Sequence, residues 1–223
     1  MVVELHDLPR HGRKKFVQAC NRAARVVCLT RPMQKELLSW GVEESKIVVE
    51  GDGVDLGRFL SMPSQSDARK RWDLPPEFSV VGYVGSLVTR NTIEKGIPEL
   101  IEAFSLLKER GEIVFGWIVG GPERWIERYR KLARSFDLTG AELRFMSRVP
   151  AADVPAALSA CCDAVDERSV TFCQPGDAQS MADAITEALK EGADADRRTR
   201  RADLARWYSW ENRMRRILDS VTV

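Results

Sequence analysis

The segment from Val80 to Glu123 places the tightest limit on what this chain can fold into. It reads V-V-G-Y-V-G-S-L, a short loop to E-K-G, then I-P-E-L-I-E-A-F-S-L-L-K-E-R-G, and last E-I-V-F-G-W-I-V-G-G-P-E. The first and last runs are short and apolar throughout, the pattern of strands buried on both faces. Between them Leu100, Ile101, Phe104 and Leu107 recur at i, i+1, i+4 and i+7, one stripe of a helix that Pro98 opens. Strand, helix, strand in this order is a βαβ unit. Such a unit presents backbone N–H groups and a cation, here Lys95, at the carboxyl ends of its strands, where open α/β sheets hold phosphorylated ligands.

The same alternation runs along the rest of the chain. Short strands are expected over 2–6, 26–30 and 46–50. A helix over 13–24 separates the first two, and a second helix, entered at Pro32 and carrying Met33, Leu37 and Trp40, stops at Gly41. Three strands alternating with helices indicate a parallel, doubly wound sheet. Residues 62–76 contain three prolines among polar residues and read as a linker. Beyond them come a helix carrying Trp125, Tyr129, Leu132, Ala133 and Phe136, a strand over 143–149, and a short helix with Val154, Leu158 and Cys161. A strand over 170–173 follows, then a helix capped by Asp177 and stopped near Gly192, and a last helix from about Ala202 to Leu218. The expected fold class is α/β, with two Rossmann-like doubly wound parallel sheets. The expected divisions are 1–61, the linker 62–76, a nucleotide-binding domain over 77–201, and a helix over 202–223 that crosses back to the first domain. With only three strands in about 60 residues, against about 100 for a self-sufficient doubly wound domain, the first sheet is expected to be incomplete, the C-terminal part of a larger domain.

Composition removes several function classes. The formal net charge of the 223 residues is +1, which provides no field to recruit nucleic acid. The arginines between Arg197 and Arg216 are interrupted by Asp203 and Glu211 and read as a solvated helix face. No apolar run approaches the ~20 residues of a membrane helix. The start, M-V-V-E-L-H-D, has no basic region followed by an apolar core, so a cytoplasmic protein is expected. Five cysteines without a C-x-x-C suggest reduced thiols, and with only His6 and His11 no structural zinc site is expected. No G-x-G-x-x-G follows a strand, which counts against a nicotinamide cofactor.

In order, the motifs resemble the GT-B retaining glycosyltransferases of group 1, with a family-4-like pattern. H-D (His6-Asp7) follows a strand, and K-I-V-V-E-G-D-G-V-D-L-G-R-F resembles the turn that closes the family's first domain. G-Y-V-G-S-L, E-K-G-I-P-E-L-I-E-A-F and I-V-G-G-P-E resemble the opening of its donor domain, and Q-P-G-D-A-Q-S-M-A-D-A-I and Y-S-W-E-N-R its end. The resemblance implies transfer of a sugar from a UDP- or GDP-linked donor to a glycan or lipid-linked acceptor, with no other cofactor, no metal, and peripheral membrane contact as one option. The chain departs from the family between Asp163 and Ser169, where the segment bearing a pair of glutamates that hold the donor is absent, and the family's N-terminal glycine-rich loop is absent as well. A non-catalytic nucleotide-binding or interaction module derived from a glycosyltransferase is therefore the alternative reading.

The resemblance assigns roles by position. Lys95 occupies the family's Lys-Gly position at the donor diphosphate, although a lysine before a helix is often only solvated. Gly85 lets the backbone approach a phosphate or simply makes a turn. The family's arginine after that glycine is replaced here by Ser86, with Arg90 in the longer loop as its substitute or as an idle surface group. Gly120 and Gly121 stand at the nucleotide, and Arg148 and Val149 where the base is met. His6 resembles the family's catalytic histidine, which contacts the transferred sugar; a surface role is the competing reading. Asp52 stands where the family has Asn, and no D-x-D closes a strand, so no metal-bridged diphosphate is implied.

Overall fold

The computed structural model of the chain describes residues 1–89, 93–161, 172–191, 203 and 205–221. It forms two compact units, one of Met1–Leu56 with Ala202–Val223 and one of Gly57–Arg201. Each contains a three-stranded parallel sheet.

In the second unit the strands are β4 (Ser79–Ser86), β5 (Val114–Gly121) and β6 (Leu143–Met146), in the order β4-β5-β6. All eight residues of β5 are buried, as a central parallel strand requires. Its side chains divide by parity. Phe115, Trp117 and Val119 join Ala68 of α3 (Gln65–Arg71) and Ala157 and Ala160 of α6 (Val154–Ala160). Val114 and Ile118 join Ile101, Phe104 and Leu107 of α4 (Ile97–Glu109), Ile126 and Tyr129 of α5 (Glu123–Ser135), and Ala182 of α7 (Ala178–Glu191). Burying each large apolar side chain contributes about 1.5–3 kcal/mol, so the two layers hold β5 in one register. That register sets Gly85 opposite Gly120 and Ser86 opposite Gly121.

In the first unit β1 (Val2–Leu5), β2 (Arg25–Cys28) and β3 (Ile47–Val49) lie in chain order beside α1 (Arg13–Arg22) and α2 (Arg31–Trp40). The Thr30 side chain accepts a bond from the Met33 N–H at 3.3 Å, Pro32 follows, and Gly41 at φ 95° ends α2, so every stop and start that the sequence suggests for it is in place. The last helix, α8 (Trp210–Val221), belongs to this unit. Arg213, 1% exposed, donates to the Gly51 carbonyl at 2.6 Å and to both oxygens of Glu4 at 2.9 and 3.3 Å. Arg216 grips Glu50 at 2.6 and 2.9 Å. Burial alone would raise the Glu4 carboxyl, but the hydrogen bonds and charge of Arg213, joined by His6, outweigh it and hold the group below its ordinary value.

The structure corrects several expectations. Residues 62–76 are not a plain linker. Ser64 caps α3 by accepting from the Asp67 N–H at 3.1 Å, and Ala68 and Leu74 are buried in the second unit. The prolines flank this helix without interrupting it. The strands at 46–50 and 143–149 are shorter than expected, and the last helix is interrupted at Ser209, which bridges to Val54. Arg213 and Arg216 are structural rather than part of a solvated face. Val170, Thr171 and Gly192 lie outside the described residues; Phe172 and Cys173 are not in a strand.

At the amino end of β6, Glu142 accepts from the Thr139 N–H at 2.8 Å and hydroxyl at 2.6 Å, and pairs with Lys108 at 3.0 Å. Burial opposes its ionisation, yet these partners pull its pKa down to about 2 from 4.5. A carboxyl lowered on folding stabilises fully above its unfolded value, and that contribution is lost as pH falls. Urea midpoints should therefore fall between about pH 4.5 and 2, and Glu142→Gln should flatten that slope while costing on the order of 1 kcal/mol at neutral pH.

Candidate functional site

The carboxyl edge of the second sheet is built from bare backbone. A Cβ added to Gly120 would collide with the Gly85 carbonyl oxygen and stand 3.1 Å from Leu87 Cδ2, so only glycine allows the two strand ends to lie this close. A Cβ at Gly121 would meet the Arg148 stem at 3.2 Å; Arg148 lies along that glycine with its side chain exposed. Val149 is half-buried and packs into the layer beneath Trp117. The edge is closed by short local bonds. The Tyr83 hydroxyl donates to the Ser86 carbonyl at 2.6 Å, and the Ser86 hydroxyl donates to the Val88 carbonyl at 2.7 Å.

Lys95 joins this edge through the main chain. The Leu87 N–H donates to the Gly121 carbonyl at 3.1 Å, and the Leu87 carbonyl accepts from the Lys95 N–H at 3.3 Å. Two hydrogen bonds thus connect the lysine's backbone to the glycine that Arg148 lies along. Gly96 follows at φ 69°, a left-handed turn that suits glycine, and α4 begins at Ile97. The Lys95 side chain is exposed and has no ion pair or hydrogen-bond partner among the described residues. The amino ends of α4 and α5 both start at this edge, adding partial positive charge. An uncommitted ammonium, two helix amino ends and two bare strand ends are groups that attract an anion.

The sequence-derived residues therefore divide into groups. Gly85, Ser86, Lys95, Gly120, Gly121 and Arg148 are linked at one edge of one sheet, with Val149 packed beneath. Arg90 lies outside the described residues. His6 belongs to the first unit, where it follows β1. It is exposed, with Nε2 at 2.9 Å from Glu4 Oε1 and Nδ1 at 3.8 Å from Asp52 Oδ1. These three residues bring one ligand atom each within 4.8 Å of the others, but Arg213 already compensates the Glu4 charge. Two groups at the sheet edge escape sequence reading. Glu123, the first residue of α5, accepts from the Ser147 hydroxyl at 2.5 Å, and Glu94 pairs with Arg128 at 3.0 Å. Nothing local in the sequence marks either contact, because each joins separate elements. Two concavities lie away from this edge, one of about 590 Å³ beside α7 and one of about 440 Å³ at the amino ends of the strands.

No protein-family model matches the chain. A curated D-inositol 3-phosphate glycosyltransferase of Kineococcus radiotolerans is 29% identical over 115 residues, 50% of this chain and 25% of that protein. The match spans about a quarter of that relative's length. A glycosyltransferase of Rickettsia africae ESF-5 superposes with a TM-score of 0.76 at 16% identity, over 99% of this chain and 69% of that one. Anabaena HepE, solved in complex with UDP and glucose, gives a TM-score of 0.74 at 17% identity, over 99% of this chain and 71% of its own. At such identities the likeness establishes the fold. The two parallel α/β sheets are those of the GT-B glycosyltransferase architecture, and the second is Rossmann-like.

The close approach of the two strand ends makes a sharp expectation. Gly120→Ala should cost about 1–3 kcal/mol by forcing the backbones apart. Gly121→Ala, which meets only the flexible Arg148 stem, should cost less. Urea denaturation of both variants checks the difference, and equal costs would refute it.

Proposed function

We propose that this chain belongs to a retaining glycosyltransferase that takes a sugar from a UDP- or GDP-linked donor, with the diphosphate held at the carboxyl edge of β4 and β5. The observation that carries this reading is the pairing of the bare Gly85 and Gly120 strand ends with an ammonium, Lys95, that no described residue compensates. The Anabaena relative's complex with UDP and glucose supports a donor of this class.

The chemistry follows from where charge appears. As the bond from the anomeric carbon to the phosphate oxygen breaks, negative charge grows on the leaving diphosphate. Fixed donors placed there before the reaction supply the largest stabilising contribution. Lys95 and the α4 amino end are such groups, with Gly85 and Ser86 beside them, Arg90 as a further cation, and Arg148 assigned with Val149 to the nucleotide base. Gly120, Gly121 and Val149 offer main chain to the nucleotide. The departing phosphate oxygen takes the proton of the acceptor hydroxyl as the new bond forms on the same face, so no general base is required. His6 is assigned to the sugar hydroxyls. The acceptor is a glycan or a lipid-linked sugar, the product a polysaccharide or glycolipid, and no cofactor beyond the donor is called for. None of the described helices is long and apolar enough to cross a membrane; the reading places the reaction in the cytoplasm, with contact at a membrane surface when the acceptor is a lipid.

Calorimetric titration of UDP and GDP into the purified chain tests this. One of the two should bind, and Lys95→Ala should weaken it ~10-fold or more, the scale of a charge-assisted contact. A folded chain that binds neither nucleotide would sink the proposal.

A further inference from the structure

The chain just before Lys95 is tied to the end of β4. Val88 and Glu94 form an antiparallel bridge, the Thr89 N–H donates to the Ile93 carbonyl at 2.9 Å, and the Ile93 N–H returns to the Thr89 hydroxyl at 3.1 Å. These bonds hold Glu94, the residue before Lys95, against Val88. Glu94 and Lys95 are consecutive, and their side chains have different surroundings. Lys95 is exposed, and Glu94 turns to α5, where its carboxylate meets Arg128 at 3.0 Å.

The α5 side of this contact is assembled for a carboxylate. The Arg128 guanidinium stacks 4.8 Å over the Trp125 ring, whose centroid is 5.8 Å from that of Tyr129. Such a stack holds an otherwise exposed arginine in one direction. Tyr129 is fully buried, and its hydroxyl, which makes no hydrogen bond of ordinary geometry among the described residues, lies beside the Glu94 carboxylate. Burial first, then the charges of Glu94 and Glu99, push its ionisation up, so it stays a proton donor beside these carboxylates. The same helix begins directly after Gly120-Gly121-Pro122, so whatever anchors the loop to α5 references it to the other strand end.

We propose that Glu94 is the positioning residue of Lys95, acting through Arg128 to fix the direction in which the ammonium is presented at the strand edge. The inference rests on the reading of Lys95 as a diphosphate-binding cation. Its signature is coupling. A pair this exposed is worth a modest amount, so Glu94→Gln and Arg128→Met should each weaken UDP or GDP binding about two- to fivefold. Neither change should matter further in a Lys95→Ala background, and the exchanged pair Glu94→Arg with Arg128→Glu should recover affinity. Equal losses with and without Lys95, or no loss while Lys95→Ala still weakens binding, would overturn the inference and leave the donor site standing. A Lys95→Ala variant that binds as tightly as the original would remove both. Hydrogen exchange without nucleotide gives an independent arm. Arg128→Met should speed exchange at the Ile93 and Lys95 amides, and unchanged rates there would refute the anchoring whatever binds.

Discussion

The register between β4 and β5 is the constraint on which the rest of the second unit depends. β5 is buried along its whole length, so its parity is fixed by two apolar layers at once, Trp117 into one and Ile118 into the other. A slip of β5 by one residue toward its carboxyl end would reverse every side chain and place Val119 opposite Gly85. The two bare strand ends would then no longer face each other. Packing far from the sheet edge thus decides whether an anion can approach the main chain there. The aromatic and aliphatic core is part of the site in this sense, and Leu87 carries it to the edge itself.

Much of this was legible in the sequence because the information is local. The strand–helix–strand order, Pro98 at the start of α4, and the Pro32 and Gly41 punctuation of α2 all depend on residues within a turn or two of each other. Lys95 could be placed at the edge because it sits between a strand and a helix whose ends are both marked. Residues 62–76 were misread because three prolines outweighed the capping signal of Ser64, which needed only seven helical residues after it. The last helix was drawn without a break because its periodicity says nothing of Ser209, which pairs with Val54 instead.

Charged residues were the least legible. Arg213, Arg216, Arg128 and Glu94 all occur in stretches where both signs alternate, the pattern of a solvated face. Two of the four are structural ties of the first unit, and the other two link the Lys95 loop to α5. Their partners lie on different elements, so spacing along the chain carries no trace of them. The distinction is energetic as well as geometric. Arg213 is desolvated, so removing Glu4 would leave a buried charge uncompensated, a penalty well above that of breaking an exposed pair.

The pairing of Glu4 with Arg213 spans 209 residues. Because a ribosome releases the chain from its amino end, everything between them has emerged before this contact exists. The unit formed by Gly57–Arg201 is continuous and its strands are all available by then. Glu4 and Glu50 must wait for their guanidinium partners until the residues of the second unit have been made. The first unit is thus closed only after the stretch that divides it, and translation of that stretch sets how long its open carboxylates spend in water.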